Sequence, residues 1–187
     1  FDRSDHSRVH MEDFCQAGNR PGFQRSKYQS SVEYVMKVAY RNYDLPSLVE
    51  CVRRTVFNIL CGNDDAHLKN WSLVYRDRRN AVLSPAYDLV CTAVYFDRPQ
   101  DMALKLCGKE ISADICLDDF RSIADMCRVE RGVIEEAVRS MIAEYGEALD
   151  MVEVPTSLTS INVRGRSLDL RPWLRDRYRR LSVSLLS

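Results

Sequence analysis

The chain has 187 residues, 45% of them apolar, with 27 basic and 27 acidic side chains. That size fits one domain with a single substantial core, and zero net charge gives no general electrostatic attraction to nucleic acid or an anionic membrane. No apolar run approaches the roughly 20 residues of a membrane span and nothing at the start resembles a signal peptide, so a cytoplasmic protein is expected. Seven cysteines, at 15, 51, 61, 91, 107, 116 and 127, are an odd, scattered set without a C-x-x-C pair. They argue against a disulfide scaffold or a zinc ribbon and read as small buried hydrophobes.

In chain order, RVHMEDFCQ places His10, Glu12 and Asp13 near Cys15. These could be metal ligands or a thiol nucleophile with its base, but Met11 and Phe14 favour a helix start with acidic residues in its first turn. Residues 29 to 42 put Val32, Val35, Met36, Ala39 and Tyr40 on one face of an amphipathic helix. Residues 46 to 60 do the same with Leu48, Val49, Val52, Val56, Phe57 and Leu60. Pro46 suits the first turn of that second helix, and Gly62 lets the chain leave it sharply.

The segment that follows, GNDDAHLKNWSLVYRDRRNAVLSPAYD, carries the chemistry. Asp65 stands five positions before Asn70, and Asp88 follows two short strands, WSLVYR and AVLS, joined by the polar turn DRRN. A hydroxyl attacking the terminal phosphate of ATP needs a carboxylate to orient it and accept its proton. The phosphate oxygens need a hard cation held by oxygen ligands, and magnesium takes few of these from protein. Asp65 suits the first task, Asn70 and Asp88 the second, with the hairpin returning Asp88 beside Asn70. A lone D-x-x-x-x-N is more often a turn or a cap, and the hairpin with its second aspartate is what lifts this one above that reading.

Beyond the site, residues 117 to 128 and 130 to 152 have helical periodicity, with Gly146 a candidate break. Residues 153 to 165 read as an exposed loop, and residues 167 to 186 as a final helix interrupted early by Pro172. The arginine-rich RPWLRDRYRRL also holds Trp173 and Tyr178, a combination able to stack on nucleic acid, though a solvated helix face is the ordinary reading.

GNDDAHLKN followed by SPAYDLVCT resembles the signature of HipA-like serine/threonine kinases, toxins of bacterial toxin-antitoxin modules, and FDR, RVHMEDFCQ and SKYQ match further segments of that family. The similarity runs from Phe1 to about Leu106, more loosely beyond. It implies a mainly α, protein-kinase-like carboxy-terminal lobe, with a catalytic core at 1–106 and a helical extension at 107–187. It implies Asp65 as the catalytic aspartate, Asn70 and Asp88 at magnesium, and His67, Tyr87 and Phe1 beside the nucleotide, Phe1 at the hinge against adenine. On that alignment the phosphate loop, the ATP-pairing lysine and the regulatory serine loop belong to an amino-terminal lobe absent from these residues, and nucleotide binding by them alone is expected to be weak.

The resemblance also implies ATP and magnesium as cofactors, a protein substrate such as an aminoacyl-tRNA synthetase, and a helix-turn-helix antitoxin partner, with DNA contacted only indirectly or weakly. The alternative is a non-catalytic binding module derived from a kinase lobe, contacting the antitoxin or DNA.

Overall fold

A computed structural model describes residues 2–4, 7–20, 25–41, 44–77, 79–96, 98–152, 160–163 and 165–187. The described chain opens with a small pair, β1 (Arg3–Ser4) and β2 (Ser7–Arg8), then β3 (His10–Asp13) and a one-turn helix α1 (Phe14–Ala17). Helices α2 (Val32–Ala39) and α3 (Leu45–Cys61) follow. The hairpin is β4 (Ser72–Tyr75) and β5 (Val82–Leu83), a second hairpin is β6 (Asp101–Leu106) and β7 (Lys109–Ile111), and helices α4 (Leu117–Cys127) and α5 (Arg131–Met151) come next. The pair β8 (Ser160–Val163) and β9 (Arg166–Asp169) then leads into α6 (Leu170–Leu186).

Helix α3 is the post around which α2, α5 and α6 pack. Its buried face is Leu48, Cys51, Val52, Thr55, Val56, Ile59 and Leu60, the i, i+3, i+4 pattern of a helix submerged along one side; Val49 and Phe57 sit at the margin of the core. Each such large aliphatic side chain contributes roughly 1.5–3 kcal/mol on burial. The N-cap Asp44 accepts from Ser47 N (3.2 Å), and Pro46 sits in the first turn, where a missing N–H costs nothing. At the other end Gly62 adopts φ 77°, and its N–H closes on Asn58 O. A left-handed residue is what turns the chain off the helix toward the site.

Several sequence expectations need correction. His10–Asp13 is a strand, antiparallel to β4 with Asp13 opposite Ser72, so the sheet has three strands in the order β3-β4-β5. The helix starts only at Phe14, with Asp13 as N-cap accepting from Gln16 N at 2.9 Å. Glu12 accepts from the Tyr75 hydroxyl at 2.6 Å. Both acids therefore have structural duties, and burial pushes the Cys15 thiol up, away from a reactive thiolate.

Gly146 does not break α5, which is continuous. Its missing side chain makes room for Tyr178 of α6, whose hydroxyl would lie 2.4 Å from an added Cβ. Of the loop expected at 153–165, residues 160–163 are the strand β8 and residues 153–159 lie outside the described residues. Pro172 sits in the first turn of α6 without interrupting it. The β6-β7 hairpin was not anticipated. The cysteines are unpaired; Cys15, Cys51 and Cys61 are buried, Cys91, Cys116 and Cys127 half-buried, and Cys107 is exposed.

Candidate active site

Residues 62–70 leave α3 and run to β4 as a loop ending in one 3-10 turn, Leu68–Asn70. Its first half is nailed down. Gly62 O accepts from Ala93 N (2.9 Å), Asn63 N donates to Asn58 O (2.9 Å), Asp64 N to the Thr92 hydroxyl (2.8 Å), and Asp64 O accepts from Ala103 N (2.7 Å). Asp65 comes next and is exposed. Its Oδ1 accepts from the Tyr28 hydroxyl at 2.9 Å, while Oδ2 has no partner among the described residues. A carboxylate held at one oxygen and open at the other has the form required of a group that must receive a proton from outside.

Asn70 and Asp88 meet across the hairpin as expected: Asn70 Nδ2 donates to Asp88 Oδ2 at 2.5 Å. The atom that meets the carboxylate is the amide nitrogen. The Asn70 oxygen accepts from His67 N at 3.0 Å, a donor that fixes which way the amide points, and keeps one lone pair for anything else.

Asp88 itself has φ 56°, uncommon for a residue with a side chain and tolerated best by Asp and Asn. Such a conformation persists only where neighbours enforce it. Here Asn63 Nδ2 donates to Asp88 O (3.2 Å) and also to Asn58 Oδ1 (3.1 Å), so an amide chain runs from the core helix to the backbone of Asp88. The approach to Asp88 is tied as well: Arg54 of α3 donates to Ser84 O (2.6 Å), and Ser84 N to Ser72 O (2.9 Å).

His67 is buried, its ring edge-on to Tyr28 with centroids 5.4 Å apart, and burial, reinforced by Lys27, lowers its pKa, which keeps the ring neutral at pH 7. Its Nδ1 has no partner among the described residues. Tyr87 is half-buried, and its hydroxyl donates to Lys69 O (2.6 Å) and lies 2.5 Å from the Ser72 hydroxyl, tying the segment before Asp88 to the loop. Phe1 lies outside the described residues. The structure thus brings Asp65, Asn70, Asp88, His67 and Tyr87 onto one loop and the hairpin that returns to it.

Four residues that sequence reasoning did not assign belong with them. Tyr28, within the SKYQ segment, holds Asp65, and Asn63, beside the aspartates in GNDD, holds Asp88; both had a local signal. Asp64 is nearly buried, and desolvation raises its carboxyl to about 6 against the opposing pull of Arg177. Arg177 comes from α6 and had no signal in the sequence.

Among the described residues no group of three or more His, Cys, Asp or Glu side chains could cage a metal. One carboxylate and one amide oxygen still fit a magnesium ion that takes the rest of its ligands from phosphate and water.

The chain is similar to known proteins along most of its length. A family model described as the HipA-like C-terminal domain matches residues 1–151. Two proteins of Sinorhizobium fredii, "Putative kinase Y4dM" and "Putative kinase Y4mE", are 33% and 30% identical over 78% and 80% of this chain. The chain spans 35% and 36% of their lengths. The solved complex of HipA, HipB and operator DNA from the Shewanella oneidensis MR-1 toxin-antitoxin system matches 98% of this chain and 46% of the matched chain. The TM-score is 0.65 at 18% identity, a likeness of fold. With the helical core, the hairpin and the returning aspartate in place, these matches show that the chain belongs to the HipA-like C-terminal domain family.

Proposed function

We propose that this chain is the carboxy-terminal catalytic part of an ATP- and magnesium-dependent serine/threonine protein kinase of toxin-antitoxin type. The observation that carries the reading is the clustering of an exposed, half-committed Asp65 with an Asn70–Asp88 pair joined at 2.5 Å across one hairpin. Asp65, steadied by Tyr28, orients a substrate hydroxyl and accepts its proton. Asp88 and the free lone pair of Asn70 hold magnesium, which when bound offsets the charge on the ATP phosphates. His67 and Tyr87 border the nucleotide, the unpaired Nδ1 of His67 being available to it, and Phe1 stacks on adenine. The chain spans 35% of the length of one relative, and the rest of the ATP grip, with the activity of the whole protein, is assigned to an amino-terminal lobe outside these residues, on the same chain or a separate one.

The substrate is a protein of the translation apparatus, an aminoacyl-tRNA synthetase being the type the resemblance implies. The partner is a helix-turn-helix antitoxin, through which DNA is approached indirectly. Three of the five α6 arginines are turned to protein, which fits that limited role for DNA: Arg171 binds Val152 O, Arg175 pairs with Asp150 at 2.7 Å, and Arg177 turns inward.

The test is label transfer from γ-labelled ATP by the full-length protein. Asp65→Asn should lower transfer at least about 100-fold while leaving magnesium-nucleotide binding intact, and Asp88→Asn should weaken that binding too. Equal retention of transfer by both variants would sink the proposal.

A further inference from the structure

We propose that Arg177, on α6, is a positioning residue for the catalytic loop, an inference that rests on the phosphoryl-transfer reading of that loop. Its guanidinium is nearly buried, with 12% of the side chain exposed. A buried cation is costly unless every donor has a use. Here Nε donates to Ile59 O at 3.0 Å, one of the carbonyls left over at the end of α3. Nη2 donates to the Ser112 hydroxyl at 3.0 Å and stands 4.0 Å from Asp64 Oδ1.

The closest acceptors are thus a backbone carbonyl and a serine, and the carboxylate is held at longer range. An arginine recruited simply to form an ion pair would bind its carboxylate in a fork at shorter distance. This one spans the end of α3, the residue next to Asp65, and the 3-10 turn Ser112–Asp114.

Gly62 completes the fit. A methyl group there would lie 3.2 Å from the Trp173 ring and 3.3 Å from Arg177 Nε, so the bare turn is what admits the guanidinium, which lies 5.8 Å from the Trp173 ring centroid. Asp64 is then gripped by Thr92, Ala103 and Arg177, and the Asp65 backbone has its preceding residue fixed from three sides. The family match ends at residue 151, so this brace is supplied by a segment beyond the matched region.

The experiment measures magnesium-dependent ATP hydrolysis by the full-length protein, with water as acceptor, together with hydrogen exchange of peptides covering residues 62–70. Arg177→Ala should lower kcat about tenfold or more with KM for ATP changed less than about twofold, because misplacement affects the reacting geometry more than nucleotide binding. Arg177→Lys should recover part of the loss, and Arg177→Ala should speed exchange in the loop. Arg53→Ala, which removes bonds from α3 to Ser140 and Glu144 of α5 away from the loop, is the control for a general loss of packing.

A kcat for Arg177→Ala equal to wild type, or lowered no more than in Arg53→Ala, would overturn the inference. If wild type and Asp65→Asn hydrolyse ATP equally, the kinase reading fails on its own. Loop exchange then decides the brace, and identical exchange in Arg177→Ala and Arg53→Ala would overturn it. Should Arg177→Ala not fold, Arg177→Lys carries the same comparisons.

Discussion

The two halves of the 62–70 loop are built on opposite terms. Residues 62–64 lie against α3, β6, the Thr92 segment and α6, with each of their three backbone N–H groups bonded to protein. Asp65, and Asp88 across from it, stand exposed with one or two hydrogen bonds each. The inner half carries the cost of fixing the backbone, and that leaves the outer half free to present carboxylates to solvent. Stability and chemistry should therefore separate within a few residues.

The sharpest way to break that contrast is Gly62→Ala. It asks an alanine to hold φ 77° and sets its Cβ 3.0 Å from that of Ala93, so it should cost about 3 kcal/mol or more in denaturant unfolding. A loss below about 1 kcal/mol would mean that the inner half is not rigid.

Asp64→Asn comes next, read as a pH dependence. Because the folded carboxyl is raised from 3.8 to about 6, the folded chain holds this proton to higher pH than the unfolded chain. The group favours folding most below about pH 4, and that contribution is lost as pH rises through about 6. The amide, which has nothing to titrate, should make the protein more stable relative to wild type at pH 7.5 than at pH 4 by about 2 kcal/mol, checked by urea titration at both values. An identical difference at both pH values would count against a buried Asp64.

Asn63→Ala should cost roughly 1–2 kcal/mol, because it strips one partner from the buried Asn58 amide, and should also release the strained Asp88 backbone. Metal-dependent nucleotide affinity of the full-length protein should fall with it. The smallest effect belongs to the outer half: Tyr28→Phe removes a single bond to an exposed carboxylate and should change stability by less than about 0.5 kcal/mol. A larger loss would show that Tyr28 is part of the inner scaffold.

What could be read from the sequence follows the same division by range. Helix α3, its left-handed exit at Gly62 and the β4-β5 hairpin were legible because periodicity, an N-terminal Pro and turn residues act within a few positions. The strand β3 reads locally as a helix start, since His10–Asp13 has no apolar alternation and becomes a strand only by pairing with β4, some sixty positions later. The β6 hairpin is equally dependent on its neighbours, through Ser31 opposite Lys105 and Ala103 bonded to Asp64. Asp65, Asn70 and Asp88 were visible as a spacing. Tyr28, which bonds Asp65, and Arg177, which approaches the neighbouring Asp64, lie 37 and about a hundred positions away, beyond what a local pattern can encode.

The notch at Gly146 acts as a gauge for the far end of the chain. Tyr178 seats where a side chain on α5 would otherwise stand, and Arg177 is its neighbour in sequence. That notch is one of the contacts, with buried Leu181 and Leu185, that fix the rotation of α6, and on the same helix Trp173 and Arg177 face Gly62. A change at Gly146 should reach the 62–70 loop without touching it, through the helix that rests on both.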